Sequence, residues 1–182
     1  IHPNVEILGK TVIGNHVEIL GGSYLNNAVI KDHVTIDSSK IQDSSVDEYT
    51  TIGPMSHLRN NTHVGKHCRI GNFVEFKNTN FGDGSKCAHL TYVGDSDVGK
   101  NVNFGCGVVT VNYDGKNKFR TTIKDGAFIG SNVNLIAPVT IGENALLAAG
   151  STITDDVEDG DMGIARNRQS NKEGYGTQYK NK

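Results

Sequence analysis

The side chains here best suited to chemistry near neutral pH are the seven histidines, because imidazole is the group most often used as a base there. No adjacent Ser/His/Asp set and no P-loop glycine pattern accompanies them. None of Cys68, Cys87 and Cys106 has an evident activating partner. What is left is base-assisted chemistry without a protein nucleophile. That needs a scaffold which brings one histidine beside groups able to bind substrates, so the repeat that organises the chain comes first.

Val46, Ile52, Leu58, Val64, Ile70 and Phe76 lie six residues apart, as do Ile123, Ile129, Leu135, Ile141, Leu147 and Ile153. The same step links Ile1, Ile7, Ile13, Ile19 and Leu25. It continues through Ile30, Ile36 and Ile41 and through Phe81, Cys87, Val93, Val98, Phe104 and Thr110, with occasional steps of five. Two residues before each anchor stands a small or β-branched residue, such as Thr50, Ser56, Cys68, Val133 or Ala145. Residues two apart in a strand face one side, so each hexad predicts a short strand with two inward side chains. The three- and four-residue spacing of an amphipathic helix is absent. Glycine often follows the anchor, as at Gly14, Gly71 and Gly130, and is expected there because the chain must turn tightly. The spacing thus predicts an all-β hexapeptide-repeat solenoid of parallel coils over residues 1–153, three hexads to a coil. Its 26 anchors make nearly nine coils.

Two stretches depart from the repeat. Residues 111–122 (VNYDGKNKFRTT) are expected to leave one corner as an inserted loop. Beyond Ile153 the pattern stops, predicting a C-terminal arm over 154–182. It is first acidic, then basic at Arg166, Arg168, Lys172, Lys180 and Lys182. Ile1 is already in register and is not methionine, which implies an upstream portion of the natural protein.

Naming the sides A, B and C, with Val46 on A, lets the register report neighbours in space. His89, Cys106, Ser131 and Ala149 each lie two residues past a B anchor and stack in four successive coils, about 14–15 Å from first to last. Three of the four are small, so the corner is expected to carry a groove fit for an extended pantetheine arm, with His89 at one end. On side C, Arg59 and Lys77 follow anchors while Glu75 and Tyr92 precede them, so all four point outward beside His89. An Arg, a Lys and a Tyr near one His suit a small phosphorylated substrate. His57 falls on side C, His63 on side A and His67 just past it, so these imidazoles diverge and no metal site is expected.

Lys and Arg total 18 against 20 for Asp and Glu, a formal charge of −2. This disfavours an evenly basic nucleic-acid binder. No apolar run approaches the roughly 18 residues of a membrane span, and no leader opens the chain. Three cysteines are an odd number without metal-like pairing. The expectation is a cytoplasmic protein with neither nucleic acid nor membrane as partner.

The strings GPMSHLR (53–59), GNFVEFK (71–77), HLTYVGD (89–95), NVNFGCG (101–107), NYDGKNKF (112–119) and IGSNVNLIAPVTIG (129–142) resemble the acetyltransferase half of bifunctional bacterial N-acetylglucosamine-1-phosphate uridyltransferase/glucosamine-1-phosphate acetyltransferases. The resemblance implies left-handed winding of the β-helix. It implies acetyl transfer from acetyl-CoA to the amine of glucosamine 1-phosphate, on the path to UDP-N-acetylglucosamine and the cell wall. It places the proton acceptor at His89, the sugar-phosphate contacts at Arg59, Lys77, Tyr92 and Asn103, and the acetyl-CoA contacts at Cys106, Asn112, Tyr113, Ser131, Ala149 and Arg166. It also implies a homotrimer with sites between subunits, which explains how Asn103 on side B joins a site on side C. Cys106 departs from the family, where alanine is common. The uridyltransferase domain is missing, so neither UTP nor that domain's Mg²⁺ is expected to be needed. Glu75 is a candidate to orient His89 or to hold the substrate amine. Two alternatives are an acyltransferase for another acceptor on the same scaffold and a non-catalytic trimerisation or binding module.

Overall fold

A computed structural model of the chain describes residues 1–180; Lys182, counted above with the arm's basic residues, lies outside the described residues. Among the described residues there are 22 strands, two or three residues long except for the 13-residue Arg69–Phe81 and Lys86–Val98, and every strand pair is parallel. Each strand pairs with the strand one coil away, so the anchors form three ladders, which the two long strands join round the corners. Side A runs Ile13, Ile30, Val46, Val64, Phe81, Val98, Ile123, Ile141. Side B runs Ile19, Ile36, Ile52, Ile70, Cys87, Phe104, Ile129, Leu147. Side C runs Ile7, Leu25, Ile41, Leu58, Phe76, Val93 and resumes at Thr110, Leu135 and Ile153. These are the assignments the six-residue step predicts. The coils wind as a left-handed parallel β-helix.

The core is the stack of anchors. From Ile19 to Ile153 they are buried, and three rings interlock within it: Phe76 lies 4.8 Å from Phe81, and Phe81 lies 5.9 Å from Phe104, centroid to centroid. Even the weakest anchors, Cys87 and Thr110, are 0% and 1% exposed. At the first coil Ile1 and Ile7 are 71% and 39% exposed, because an anchor needs a coil on both sides to be covered.

Gly53, after Ile52, has φ 107 as a tight turn requires, but Gly71 and Gly130 have a different reason from the expected one. Gly71 and Gly130 do not have positive φ; they sit where a neighbouring coil comes close. A Cβ at Gly71 would run into the Ala88 carbonyl oxygen, and one at Gly130 would stand 2.5 Å from Leu147 O and 2.6 Å from Ala149 N. The tight turns instead fall at left-handed corner residues, 18 of them not glycine and eight of those Asn. Asn tolerates that region because its short side chain bonds locally. At the A corner each coil also caps the last one: carboxylates of Asp32, Asp83 and Asp125 accept the amides of Asn15 (2.7 Å), Lys66 (3.0 Å) and Lys100 (2.8 Å).

Both departures from the repeat are narrower than expected. Val111 belongs to the strand Val109–Val111, and Thr121 and Thr122 to Thr121–Ile123, so the loop proper spans residues 112–120. The arm does not leave the prism at Ile153. Val157 bridges to Ile141, and Met162–Gly163 pairs with Leu146–Leu147, adding two more sides. A step of four to Val157 and a glycine in an anchor's place hid this continuation, since neither carries the hydrophobic period. Past it residues 164–179 are exposed, and the described residues close with a six-residue helix, Tyr175–Lys180. Among the described residues no helix is long and apolar enough to cross a membrane.

Candidate active site

Side B turns into side C at the corner carrying His89. The Thr91 hydroxyl donates to the His89 carbonyl at 2.7 Å, and Leu90 takes φ 43, so the backbone swings sharply and presents the imidazole to solvent. Cys106, Ser131 and Ala149 follow it up the corner, all exposed. Main-chain bonds from Gly107 to Leu90 (3.0 Å), Asn132 to Cys106 (2.8 Å) and Gly150 to Ser131 (2.8 Å) hold this ladder. Arg166 closes its upper end, with Cδ 3.8 Å from where a Gly150 Cβ would stand. The four corner residues therefore stack in register from coil to coil, as their spacing predicts.

Side C carries the charged groups as two columns, His57–Glu75–Tyr92–Val109 and Arg59–Lys77–Gly94. Neighbouring columns lie within reach of each other, and the side chains use that. Arg59 grips the Glu75 carboxylate through Nε (2.8 Å) and Nη2 (2.6 Å). Glu75 is thus an orienter of Arg59; among the described residues no hydrogen bond joins it to His89. The Tyr92 ring lies over Gly94, filling the room that a Cβ there would need. Lys77 is 11% exposed and pairs with Asp95, its Nζ 3.0 Å from Oδ2 and 3.2 Å from Oδ1.

Asp95 is a residue that sequence reasoning missed. Burial pushes its carboxyl up, but hydrogen bonds from Asn78, Lys77 and Asn112 outweigh that and hold it below the ordinary carboxylate value. Asn112, expected to touch acetyl-CoA, is 8% exposed with its amide on Asp95. Tyr113 beside it is 55% exposed, and its hydroxyl donates to the Gly115 carbonyl at 2.7 Å, leaving the ring free. The loop's other foot is Arg120, which clasps Asp97 at 2.6 and 2.7 Å. A second missed feature is an apolar ridge on the His89 corner: Met55, Phe73 and Leu90, 59%, 62% and 59% exposed, all in the left-handed region. The only trace in the sequence is bulky apolar residues at corner positions that elsewhere hold Asn or Gly.

Asn103 is not brought to this group. It stands half-buried on side B between Lys86 and Phe128, across the corner from Tyr92. The thiols separate cleanly: burial pushes Cys68 to about 11 and Cys87 to about 12, while Cys106 is exposed. His57, His63 and His67 have different neighbours, namely Gln42, Ser45 with Asp47, and the Tyr49 ring.

Three-sided parallel coils built on a six-residue step define a hexapeptide-repeat left-handed β-helix protein. The family model described as "Bacterial transferase hexapeptide (six repeats)" matches residues 120–155. The solved UDP-N-acetylglucosamine acyltransferase from Campylobacter jejuni shares the fold, with a TM-score of 0.71 at 16% identity over 90% of this chain and 71% of that one. Much more closely, the chain is similar to the bifunctional protein GlmU of Shouchella clausii (55% identity) and of Exiguobacterium sp. AT1b (53%), each over 96% of this chain. It spans 38% and 39% of their lengths. The resemblance seen in the HLTYVGD and NYDGKNKF segments is borne out: this chain is homologous to one portion of GlmU.

Proposed function

We propose that the chain transfers acetyl from acetyl-CoA to the amine of glucosamine 1-phosphate, giving N-acetylglucosamine 1-phosphate, as the acetyltransferase portion of a GlmU-type protein in the cytoplasm. The observation that carries this reading is the place of His89. It stands exposed where the small-residue ladder of Cys106, Ser131 and Ala149 meets the side bearing Arg59, Lys77 and Tyr92. A thioester laid along the ladder and a sugar phosphate held on side C would bring carbonyl and amine together beside that imidazole.

The amine must be neutral to attack. His89 takes the amine's proton as the N–C bond forms and passes it to the departing sulfur as the C–S bond breaks, so CoA leaves as the free thiol and His89 returns to its neutral form. No protein nucleophile is needed, and holding both substrates in one orientation supplies much of the acceleration. Arg166, at the ladder's upper end, can meet CoA phosphate with paired hydrogen bonds. The separation of Asn103 from Arg59, Lys77 and Tyr92 within one chain supports a homotrimer, in which one protomer's side B faces another's side C. Outward Val109 on side C and the stacked Phe128, Leu146 and Met162 on side B (36%, 49%, 42% and 60% exposed) are apolar surface that such packing would cover.

The test is transfer of labelled acetyl from acetyl-CoA to glucosamine 1-phosphate. Turnover with that acceptor is expected. Preference for a different amine or hydroxyl acceptor would assign another substrate, and acetyl-CoA left unconsumed by every acceptor would make the chain a binding module. A stable monomer in sedimentation at assay concentration would overturn the shared site.

A further inference from the structure

Asp95 is not among the residues expected to bind or react, yet it stands between those that are. Its side chain is 8% exposed. It accepts from Lys77 Nζ (3.0 and 3.2 Å), from Asn78 Nδ2 (2.6 Å) and from Asn112 Nδ2. Two of these donors belong to opposite halves of the proposed reaction: Lys77 faces the sugar phosphate, and Asn112 opens the loop expected at acetyl-CoA. We propose that Asp95 is a positioning residue that fixes the phosphate-binding cation and the donor-side loop as one unit, an inference that rests on the acetyl-transfer reading above.

The geometry suits that task. Asp95 takes φ 48 at the corner between sides C and A, a region that Asp tolerates better than most residues. The preceding Gly94 amide is tied to Thr110 Oγ1 at 2.7 Å, which fixes the backbone on which the carboxylate rides. An ammonium has three N–H donors and a carboxylate about four acceptor sites. Asp95 can therefore occupy Lys77 through part of its donor set and leave the rest for an incoming anion. The buried pair keeps the long lysine side chain in one place, so less entropy is lost when phosphate arrives. Arg120 clamps the loop's other foot to Asp97, two residues further along the same strand Lys86–Val98. Among the described residues, only the foot at Asn112 is linked through a shared carboxylate to a side-C cation.

The test compares the full chain with Asp95→Asn, Asn112→Ala and the double variant. Asp95→Asn keeps the shape but sets an amide N–H against one of three donors. It is expected to raise KM for both glucosamine 1-phosphate and acetyl-CoA by about tenfold, the scale of one charge-assisted hydrogen bond. Asn112→Ala is expected to raise only KM for acetyl-CoA, and the double variant to be no worse for acetyl-CoA than Asp95→Asn. Wild-type KM values in Asp95→Asn, or multiplying effects in the double variant, would overturn the coupling. Tryptic cleavage after Lys116 and Lys118 in substrate-free protein reads the loop without the reaction. Both single variants are expected to be cut faster at unchanged circular dichroism, and cleavage at the wild-type rate would overturn the anchoring. If the wild type leaves glucosamine 1-phosphate unacetylated, the functional reading fails while the cleavage rates still decide the anchoring. Should Asp95→Asn not fold, Asn112→Ala alone decides by both readouts.

Discussion

His89 is held only by its backbone: its ring is exposed, and among the described residues it has no side-chain partner. His89→Ala is therefore expected to leave melting temperature and oligomeric state unchanged while lowering kcat by about 10²–10⁴-fold, the usual cost of losing a general base. A variant that keeps wild-type turnover would remove His89 from the mechanism. Cys106 gives a second check at this scale. A thiol reagent applied to the native protein is expected to modify one of three cysteines, since burial holds the Cys68 and Cys87 thiols protonated and inaccessible. A bulky adduct at Cys106 is expected to block acetyl-CoA and to spare glucosamine 1-phosphate binding. Protection of Cys106 by acetyl-CoA would support the ladder as the donor groove, and equal labelling with and without it would not.

The elements explain what could be read in advance. A six-residue step has no helical counterpart, so strand, side and stacking partner followed from spacing alone, and with them the neighbourhood of His89, Arg59 and Lys77. What spacing cannot carry is where a long side chain goes once it leaves the backbone. Glu75 reaches sideways to Arg59 rather than round the corner to His89, and Asp95 gathers Lys77 and Asn78 from the adjacent coil and Asn112 from the loop. The end of the prism was hidden for another reason, because Gly163 fills an anchor position with no apolar side chain. This moves the boundary for a truncation test. Ending the chain after Ala165 keeps the bond from Thr152 N to Ala165 O (3.2 Å) and removes Arg166. That protein is expected to keep its strand content and to show a raised KM for acetyl-CoA. Unchanged kinetics would make the arm a solvated tail.

At the scale of the molecule, stability is a sum over coil-to-coil contacts, as in other solenoids, and acid acts on many of them together. Burial works against Asp95, but its three donors hold it low; Arg120 holds Asp97 low; amides of the adjacent coil do the same for Asp32 and Asp83. A carboxyl whose value is depressed by folding binds fewer protons folded than unfolded, so its stabilisation is full above the unfolded value near 3.9. It fades as pH falls through the folded values. Urea midpoints are therefore expected to drop most steeply below about pH 4, after a smaller loss nearer neutrality as His57, whose value burial holds down, takes up its proton. An Asp95→Asn, Asp97→Asn double variant is expected to start lower and fall less. A wild-type midpoint constant down to pH 3 would contradict this account.

One consequence follows from how the ladders count residues. Phe81 and Val98 are paired and 17 residues apart, whereas Val98 and Ile123, paired in the same way, are 25 apart. The excursion at the C–A corner thus adds eight residues of contour and shifts the frame of the stack by nothing. The prism works as a chassis whose bookkeeping is periodic, and whatever projects from a corner is carried outside that period. The loop and the core can then drift independently, linked where Asp95 and Asp97 bolt one to the other.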